Sequence, residues 1–373
     1  MTEKKIKIGI LLGGRSSEHE VSLMSARSII QMLDPQKYQV TQIGITPAGQ
    51  WMVGENVIDR MLAREYDALT PAALLPEPGE SALYRQQITT QGKLLEVFEP
   101  LDVIFPVLHG TFGEDGTLQG LFEIVNIAYV GAGVLASSVG MDKALFKDIM
   151  RTHNLPITPS VLATRSEVEH QMEQVIARAE GALSYPLFVK PANMGSSVGV
   201  SKCHNRSDLL EGLMDAMQYD RRVLIEKGVN AREIEISVLG NEDPQVSIPG
   251  EIRPRDEFYS YAAKYIDDDT ELLIPAPLEA STVAQIQNCA LRAYKAIDCA
   301  GMARVDFFVD KDNSQVYINE VNTIPGFTKI SMYPKLWEAS GIPYPKLLDR
   351  LVELAFERKA ERDRTEYRYR GEA

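Results

Sequence analysis

Cysteine is scarce in this chain of 373 residues: Cys203, Cys289 and Cys299 are scattered, odd in number and form no C-x-x-C pair. A disulfide framework is therefore not expected, and a reducing, cytoplasmic compartment is. Long apolar runs are missing too, since none approaches the roughly 18 residues of a membrane span. The N-terminal "KKIKIGILLGG" sets basic residues before an apolar run, as a signal peptide does. That run is short and closes on Gly-Gly, which marks a first β-strand instead. Positive charge is outweighed, with 39 Lys and Arg against 52 Asp and Glu, a formal net charge of -13. Neither nucleic acid nor an acidic membrane is the expected partner, and an anionic small substrate would need clustered cations or a metal. H-E-x-x-H, G-x-S-x-G and the Walker A order G-x-x-x-x-G-K-[ST] do not occur. Zinc-enzyme, hydrolase and P-loop chemistry thus lose their usual support. No internal repeat or low-complexity linker interrupts the chain.

What is present is ordinary globular material, 45% hydrophobic and 24% charged, long enough for two or three domains. "IKIGILL" (6–12) predicts a buried strand, and Ser16 or Ser17 is a candidate cap for a helix bearing Val21, Met24, Ile29, Ile30 and Leu33 at helical spacing. "QVTQIGI" and "LDVIFPVL" predict further strands, and the alternation predicts a parallel sheet with helices on its faces. A first unit is expected over 1–133, a second over 134–230 and a third over 231–358. The charge-dense residues 359–373 are expected to form a solvated tail. The second unit is expected to hold a helix ending before Pro156, another over "SEVEHQMEQVIARAEG", and strands "PLFVK" and "RVLIE". In the third, Ile234, Ile236 and Val238 alternate, residues 250–277 show neither period, and "GMARVDFFVD" and "SQVYINEVN" predict a hairpin turned at "KDNS".

Four stretches carry chemistry. Strand alternation puts Arg304 with Asp306, and Glu320 with Asn322, on shared faces of that hairpin. An arginine, two carboxylates and an amide then converge as hard oxygen ligands suited to Mg²⁺, although a solvated face with plain ion pairs has the same pattern. The Pro-Gly turn of "NTIPGFT" follows directly and offers backbone N–H groups. In "FVKPANMGSSVGV", Lys190 supplies a cation and Gly195-Ser196-Ser197 a turn able to fold over phosphate oxygens, with Lys143 of "MDKALFK" as a second cation. Singly, each is equally an exposed lysine or an ordinary polar turn. "EKGVNAREIE" joins two lobes between Glu226 and Glu233, where backbone and carboxylate meet a nucleotide or simply solvent. "HGTFGEDGTLQG" places His109 at a strand's C-terminal end, where α/β proteins bind ligands. "GAGVLA" (131–136) fits the dinucleotide pattern G-x-G-x-x-A, but no acidic residue ends a second strand about 20 residues on.

Taken in order, "GGRSSEHEVSL", "FPVLHGTFGEDGTLQG", "MDKALFK", "KPANMGSSVGVSK", "EFYSYAAKY", "MARVDFF" and "INEVNTIPGFT" closely resemble the D-alanine–D-alanine ligases of the ATP-grasp superfamily, from about residue 6 to 355. The resemblance implies an α/β, three-domain ATP-grasp ligase, with an N-terminal parallel-sheet domain and central and C-terminal α+β domains gripping ATP. It implies ATP-dependent joining of two D-alanines through an acyl phosphate for peptidoglycan precursors, with two Mg²⁺ ions (Mn²⁺ as substitute) and a homodimer. By position, Lys143 and Lys190 match the ATP-phosphate lysines, and Gly195, Ser196, Ser197 and Val198 the phosphate lid. Glu226 and Glu233 match the adenine and ribose side, and Phe258 a nearby aromatic. Asp306, Glu320 and Asn322 match the metal ligands, and Arg304 with the Gly326 N–H the oxyanion stabilisers. Glu20 matches the carboxylate for the first D-alanine's ammonium, near His109. Ser331 and Met332 match the site of the second D-alanine's carboxylate. Lys264 and Tyr265 fall in the loop that closes over the substrates, where Tyr265 joins Glu20 and Ser196 and suggests a dipeptide rather than a depsipeptide product. Ser260 stands where many members have Asp, and Gly228 where some have a bulkier residue. The competing classes are another ATP-grasp carboxylate–amine ligase, an NAD-dependent oxidoreductase and an inactive ATP-binding module.

Overall fold

The computed structural model describes residues 4–90, 92–253 and 271–367. Strand β1 (Ile6–Gly13) is the predicted buried run, with Ile8, Ile10, Leu11 and Leu12 sealed from solvent. It pairs in parallel with β2 (Tyr38–Ile45), reached through the helix His19–Met32. The other β1 edge pairs in parallel with the strand Val103–Pro106. Parallel strands need such crossovers, and coverage on both faces explains the unbroken apolar runs. The sheet then turns antiparallel through β3 (Trp51–Val53), β4 (Thr70–Leu74), β5 (Ala82–Thr89) and β6 (Gly92–Pro100). With β7 (Val103–Pro106) and β8 (Ala128–Tyr129), the strand order is β6-β5-β4-β3-β2-β1-β7-β8. The sheet is thus parallel over β2-β1-β7-β8, as expected, and continues antiparallel to the β6 edge. Every described residue of β6 but Glu99 is exposed, so no buried face imposes the alternation by which a strand is recognised. Neither serine caps the first helix: Ser16 Oγ instead accepts the Glu18 N–H at 3.1 Å, in the turn before it.

The second sheet has β9 (Ser160–Thr164), β10 (Leu187–Pro191), β11 (Ser201–Cys203) and β12 (Arg222–Lys227) in the order β11-β10-β12-β9, all antiparallel. The single helix expected after Thr164 is two, Arg165–His170 and Met172–Ala182, parted at Gln171. Thr164 and Glu167 close a reciprocal cap on the first.

The third sheet comprises β13 (Ala231–Leu239), β14 (Gln245–Val246), β15 (Gly250–Arg253), β16 (Glu271–Leu273), β17 (Met302–Asp310) and β18 (Val316–Asn322). Its order is β16-β15-β13-β17-β18, with β14 beside β13. The stretch 250–277, expected as a loop, contributes β15 and β16. The β17–β18 hairpin is as predicted, with Arg304 opposite Asn322 and Asp306 opposite Glu320.

Two features tie the C-terminal segment to the first sheet. Ile324, Phe327, Tyr333 and Trp337 share a core with Ile8, Ile10, Val103 and Phe105, and so do Leu347, Leu348, Leu351 and Val352 of the helix Tyr344–Arg362. Truncating one such leucine to alanine costs about 2–5 kcal/mol. The charged segment is not loose from residue 359, because Arg362 pairs with Glu123 and donates to Asn126 Oδ1 at 2.8 Å. At "GAGVLA", a Cβ on Gly301 would lie 3.1 Å from the Gly131 Cα. Gly301 thus serves the close approach of two backbones, while Gly131 itself has a φ of 96°, a conformation that favours glycine and accounts for the start of the pattern without a dinucleotide.

Candidate active site

A cleft of about 1460 Å³ opens where the three sheets meet. Its second-sheet wall follows from strand alternation: Leu187 and Val189 pack inward, while Phe188 and Lys190 face the cleft. Lys190 pairs with Glu226 of β12, which also pairs with Lys147 and accepts from the Thr158 hydroxyl. Lys147 Nζ donates to Thr158 Oγ1 at 2.7 Å, and both lysine and carboxylate are buried. Burial alone raises a carboxyl's pKa, but Lys190 and Lys147 outweigh it and hold Glu226 at about 2.

Lys143 opens a helix, Lys143–Thr152, capped by the Asp142 carboxylate, which Arg222 clamps at 2.8 and 3.1 Å. The Lys143 Nζ donates to the Met194 carbonyl at 2.8 Å and lies 3.7 Å from Glu320, so this lysine links the 195–198 turn to the hairpin carboxylate. Ser196 and Ser197 have φ of 50° and 59°. Consecutive left-handed residues turn backbone N–H groups toward a common point, as anion-binding turns do. The buried Ser196 hydroxyl has no hydrogen-bond partner among the described residues.

The first-sheet wall brings a correction. Glu20 is exposed, on the solvent face it shares with Met24, and does not line the cleft. Glu18 does, buried beside the turns at Gly110 and Gly195. A Cβ added at Gly110 or Gly195 would stand 2.6 or 2.8 Å from Glu18 Oε2, so both glycines make room for this carboxylate. Helical phase carries the signal: Glu18, Ser22 and Ser25 fall at i, i+4 and i+7 and are all buried.

His109 reaches the cleft wall with both ring nitrogens engaged by protein, Nδ1 with the Ile324 carbonyl at 3.0 Å and Nε2 with Ser25 Oγ at 3.2 Å. Burial lowers its pKa despite Glu18 nearby, so a neutral ring donates from Nδ1 and accepts at Nε2. It braces the Ile324 loop, rather than presenting a free ring nitrogen to substrate. Glu114, which sequence reasoning passed over, holds the other side of that residue: Oε1 accepts the Ile324 N–H at 3.0 Å and Oε2 the Gly110 N–H at 2.8 Å. Burial first, then Glu18, pushes the Glu114 carboxyl up to about 8.

On the third sheet, Arg304 Nε and Nη2 each donate to Asp306 at 2.7 Å, and Asn322 Nδ2 donates to Asp306 Oδ2 at 2.9 Å. Arg304, Glu320 and Asn322 line the cleft, whereas Asp306, held by Arg304, is not among the lining residues. Glu235, also missed, lines it with Glu233; alternation on β13 puts the two on one face, opposite Ile234 and Ile236. Two carboxylates and an amide are an oxygen donor set that fits a divalent ion completed by phosphate oxygens. No group of three or more His, Cys, Asp or Glu among the described residues could hold a metal unaided. Gly326, Ser331 and Met332 line the same cleft, and a Cβ on Gly326 would meet Ser331 Oγ at 2.8 Å. Gly228 is similarly constrained, 2.7 Å from the Pro186 carbonyl to its would-be Cβ. Gly195, Ser197, Val198 and Glu233 complete the expected set in the cleft. Phe258, Ser260, Lys264 and Tyr265 lie outside the described residues.

Three sheets around a cleft with two lysines, a Gly-Ser-Ser turn and an acidic hairpin define the three-domain ATP-grasp ligases. Models of the D-ala D-ala ligase N-terminus and C-terminus match residues 7–132 and 149–353. A D-alanine–D-alanine ligase of Heliobacterium modesticaldum is 52% identical over 360 residues, 96% of this chain and 97% of that one. One from Thermoanaerobacter pseudethanolicus is 50% identical over 97% of this chain and 99% of its own. Among solved structures, the D-alanine-D-alanine ligase from Coxiella burnetii superposes with a TM-score of 0.81 at 37% identity, covering 96% of both chains. The VanG D-Ala:D-Ser ligase from Enterococcus faecalis also gives 0.81, at 32% identity over 94% of this chain and 100% of its own. The chain belongs to the D-alanine–D-alanine ligase family, whose reaction is ATP-dependent D-alanyl-D-alanine synthesis for the cell wall. No described helix is long and apolar enough to cross a membrane.

Proposed function

We propose that the cleft forms D-alanyl-D-alanine in two steps. The first D-alanine's carboxylate attacks the γ-phosphorus of ATP, the bond to the bridging oxygen breaks, and ADP leaves an acyl phosphate. The second D-alanine's amine then attacks the activated carbonyl, loses a proton and expels inorganic phosphate as the amide forms. Glu18, in place of Glu20, takes the first D-alanine's ammonium. Lys143, Lys190 and the 195–198 turn hold the phosphates, Glu233 the ribose side, and Arg304 with the Gly326 N–H the oxyanion. Ser331 and the Met332 backbone receive the second carboxylate. Asp306, Glu320 and Asn322 would hold Mg²⁺, or Mn²⁺ in its place, which supplies charge neutralisation at the transferring phosphoryl group. Two copies of the chain are expected to form a homodimer.

The observation that carries this reading is the contact between Lys143 and Glu320, which joins the phosphate wall to the acidic hairpin in one cavity. The test is phosphate release from MgATP with D-alanine, L-alanine or neither, with mass analysis of the product. D-alanine-dependent release yielding one dipeptide is the expected result. Turnover only with another amino acid overturns the substrate assignment and moves the chain to another ATP-grasp branch. D-serine or D-lactate offered beside D-alanine reads the second subsite, and products from them below a tenth of the dipeptide are expected.

A further inference from the structure

Arg304 stands between two carboxylates. Asp306 accepts from its Nε and Nη2, and Glu235 Oε2 lies 3.0 Å from the same Nε. Glu235 and Asp306 are direct partners across the β13–β17 ladder. Like charges so placed repel, and the guanidinium relieves the repulsion by touching both. Glu235 is buried and lines the cleft, whereas Asp306 is not among the lining residues.

This arrangement poses a problem for the metal reading proposed above, on which the inference rests. A cation on Asp306 needs carboxylate oxygens that Arg304 and Asn322 engage. Arg304 must therefore shift as the ion arrives, and a partly buried guanidinium that loses its anion pays a large desolvation penalty. We propose that Glu235 is a positioning residue that takes over Arg304 when Asp306 turns to a divalent cation. The exchange keeps the guanidinium paired at the cleft wall, where it faces the substrates, and leaves Asp306 to the metal. Nothing covalent changes: one ion pair is traded for another already within reach. Without the Glu235 charge, Arg304 competes with the ion for Asp306.

Mn²⁺ is the probe, in the presence of ADP, read through the relaxation enhancement of water protons by protein-bound ion. Asp306→Asn is measured first; if it binds Mn²⁺ as the parent does, the metal reading itself fails, separately from the role of Glu235. With that control passed, Glu235→Gln should weaken Mn²⁺ by about 10-fold, the lower end for residues that support metal ligands. In an Arg304→Met background the same substitution should change affinity by less than about twofold, because Glu235 acts through the arginine. Affinity within about twofold of the parent, or equal losses in both backgrounds, overturns the proposal. Glu235→Asp keeps the charge and should recover most of the affinity. Should the Gln variant not fold, Glu235→Ala is measured in the same two backgrounds under the same criteria, and a second failure to fold in both marks a structural role and overturns the proposal.

Discussion

Glu226 and Glu114 line one cleft from different walls, and burial acts on both in the same direction. Glu226 nonetheless stays ionised with a pKa of about 2, while Glu114 rises to about 8. The difference lies in their neighbours. Glu226 has two lysines in contact, so attraction exceeds the desolvation penalty. Glu114 accepts two backbone N–H bonds but has Glu18 nearby, and Arg304 only partly offsets that repulsion. Charge at this cleft is thus placed pair by pair: the second-sheet wall, proposed to hold the phosphates, is built from ion pairs, and the first-sheet wall from backbone bonds around a carboxyl that readily keeps its proton.

The sharpest way to break the contrast is to remove the Glu226 charge. Glu226→Gln leaves Lys147 buried beside Thr158 without its counter-ion, and taking one partner from a buried pair costs about 3–5 kcal/mol. Urea unfolding should show that loss, and Lys147→Met in the same chain should restore most of it. A loss below about 1 kcal/mol would mean the lysines find other partners.

A second effect follows from pH. A carboxyl raised from 4.5 to about 8 holds its proton more tightly in the folded chain. Its contribution to stability is complete below pH 4.5 and is lost as pH rises through 8. Glu226 has the opposite sign: its contribution is present above pH 4.5 and lost as pH falls through about 2. Melting temperatures measured from pH 2 to 9 should therefore fall above pH 5 in the parent and fall less there in Glu114→Gln, while the loss below pH 4.5 remains in that variant. Parallel slopes in the two proteins would assign the alkaline loss to another group.

Much of this was legible in the chain and some was not, for physical reasons. The β17–β18 hairpin was predictable because one buried face imposes alternation on its residues, and β1 because burial on both faces leaves an unbroken apolar run. The β5–β6 pair was not, since β6 is exposed and its apolar residues, Leu94, Leu95 and Val97, obey no inside–outside rule. At the site, Lys190 and Asp306 were named by spacing and resemblance; Lys190 lines the cleft and Asp306 is held by Arg304. Glu18 was missed because it lies two residues from Glu20 in the same motif, and only helical phase separates them. Glu114 and Glu235 were missed because their roles depend on partners far along the chain, Ile324 and Arg304. The Glu226–Lys147 pair joins two predicted elements whose packing no local pattern reveals.

The gentlest probe concerns the backbone bonds that frame Glu114. The Phe327 N–H donates to Ser25 Oγ at 3.3 Å, and the Ser25 hydroxyl is left to donate to His109 Nε2 at 3.2 Å. His109 Nδ1–H reaches the Ile324 carbonyl, and the Ile324 N–H reaches Glu114. Every donor in this chain has an acceptor, and the chain straddles Gly326, whose N–H is assigned to the oxyanion. Ser25→Ala removes one link without adding bulk and leaves a buried amide and a ring nitrogen unpaired, at about 1–3 kcal/mol. If the chain positions Gly326, kcat should fall by about three- to tenfold while the KM for ATP stays constant, since the phosphate wall does not share these bonds. An equal rise in the KM for ATP would show instead that the two walls relax together, and the contrast between them would be one of charge alone.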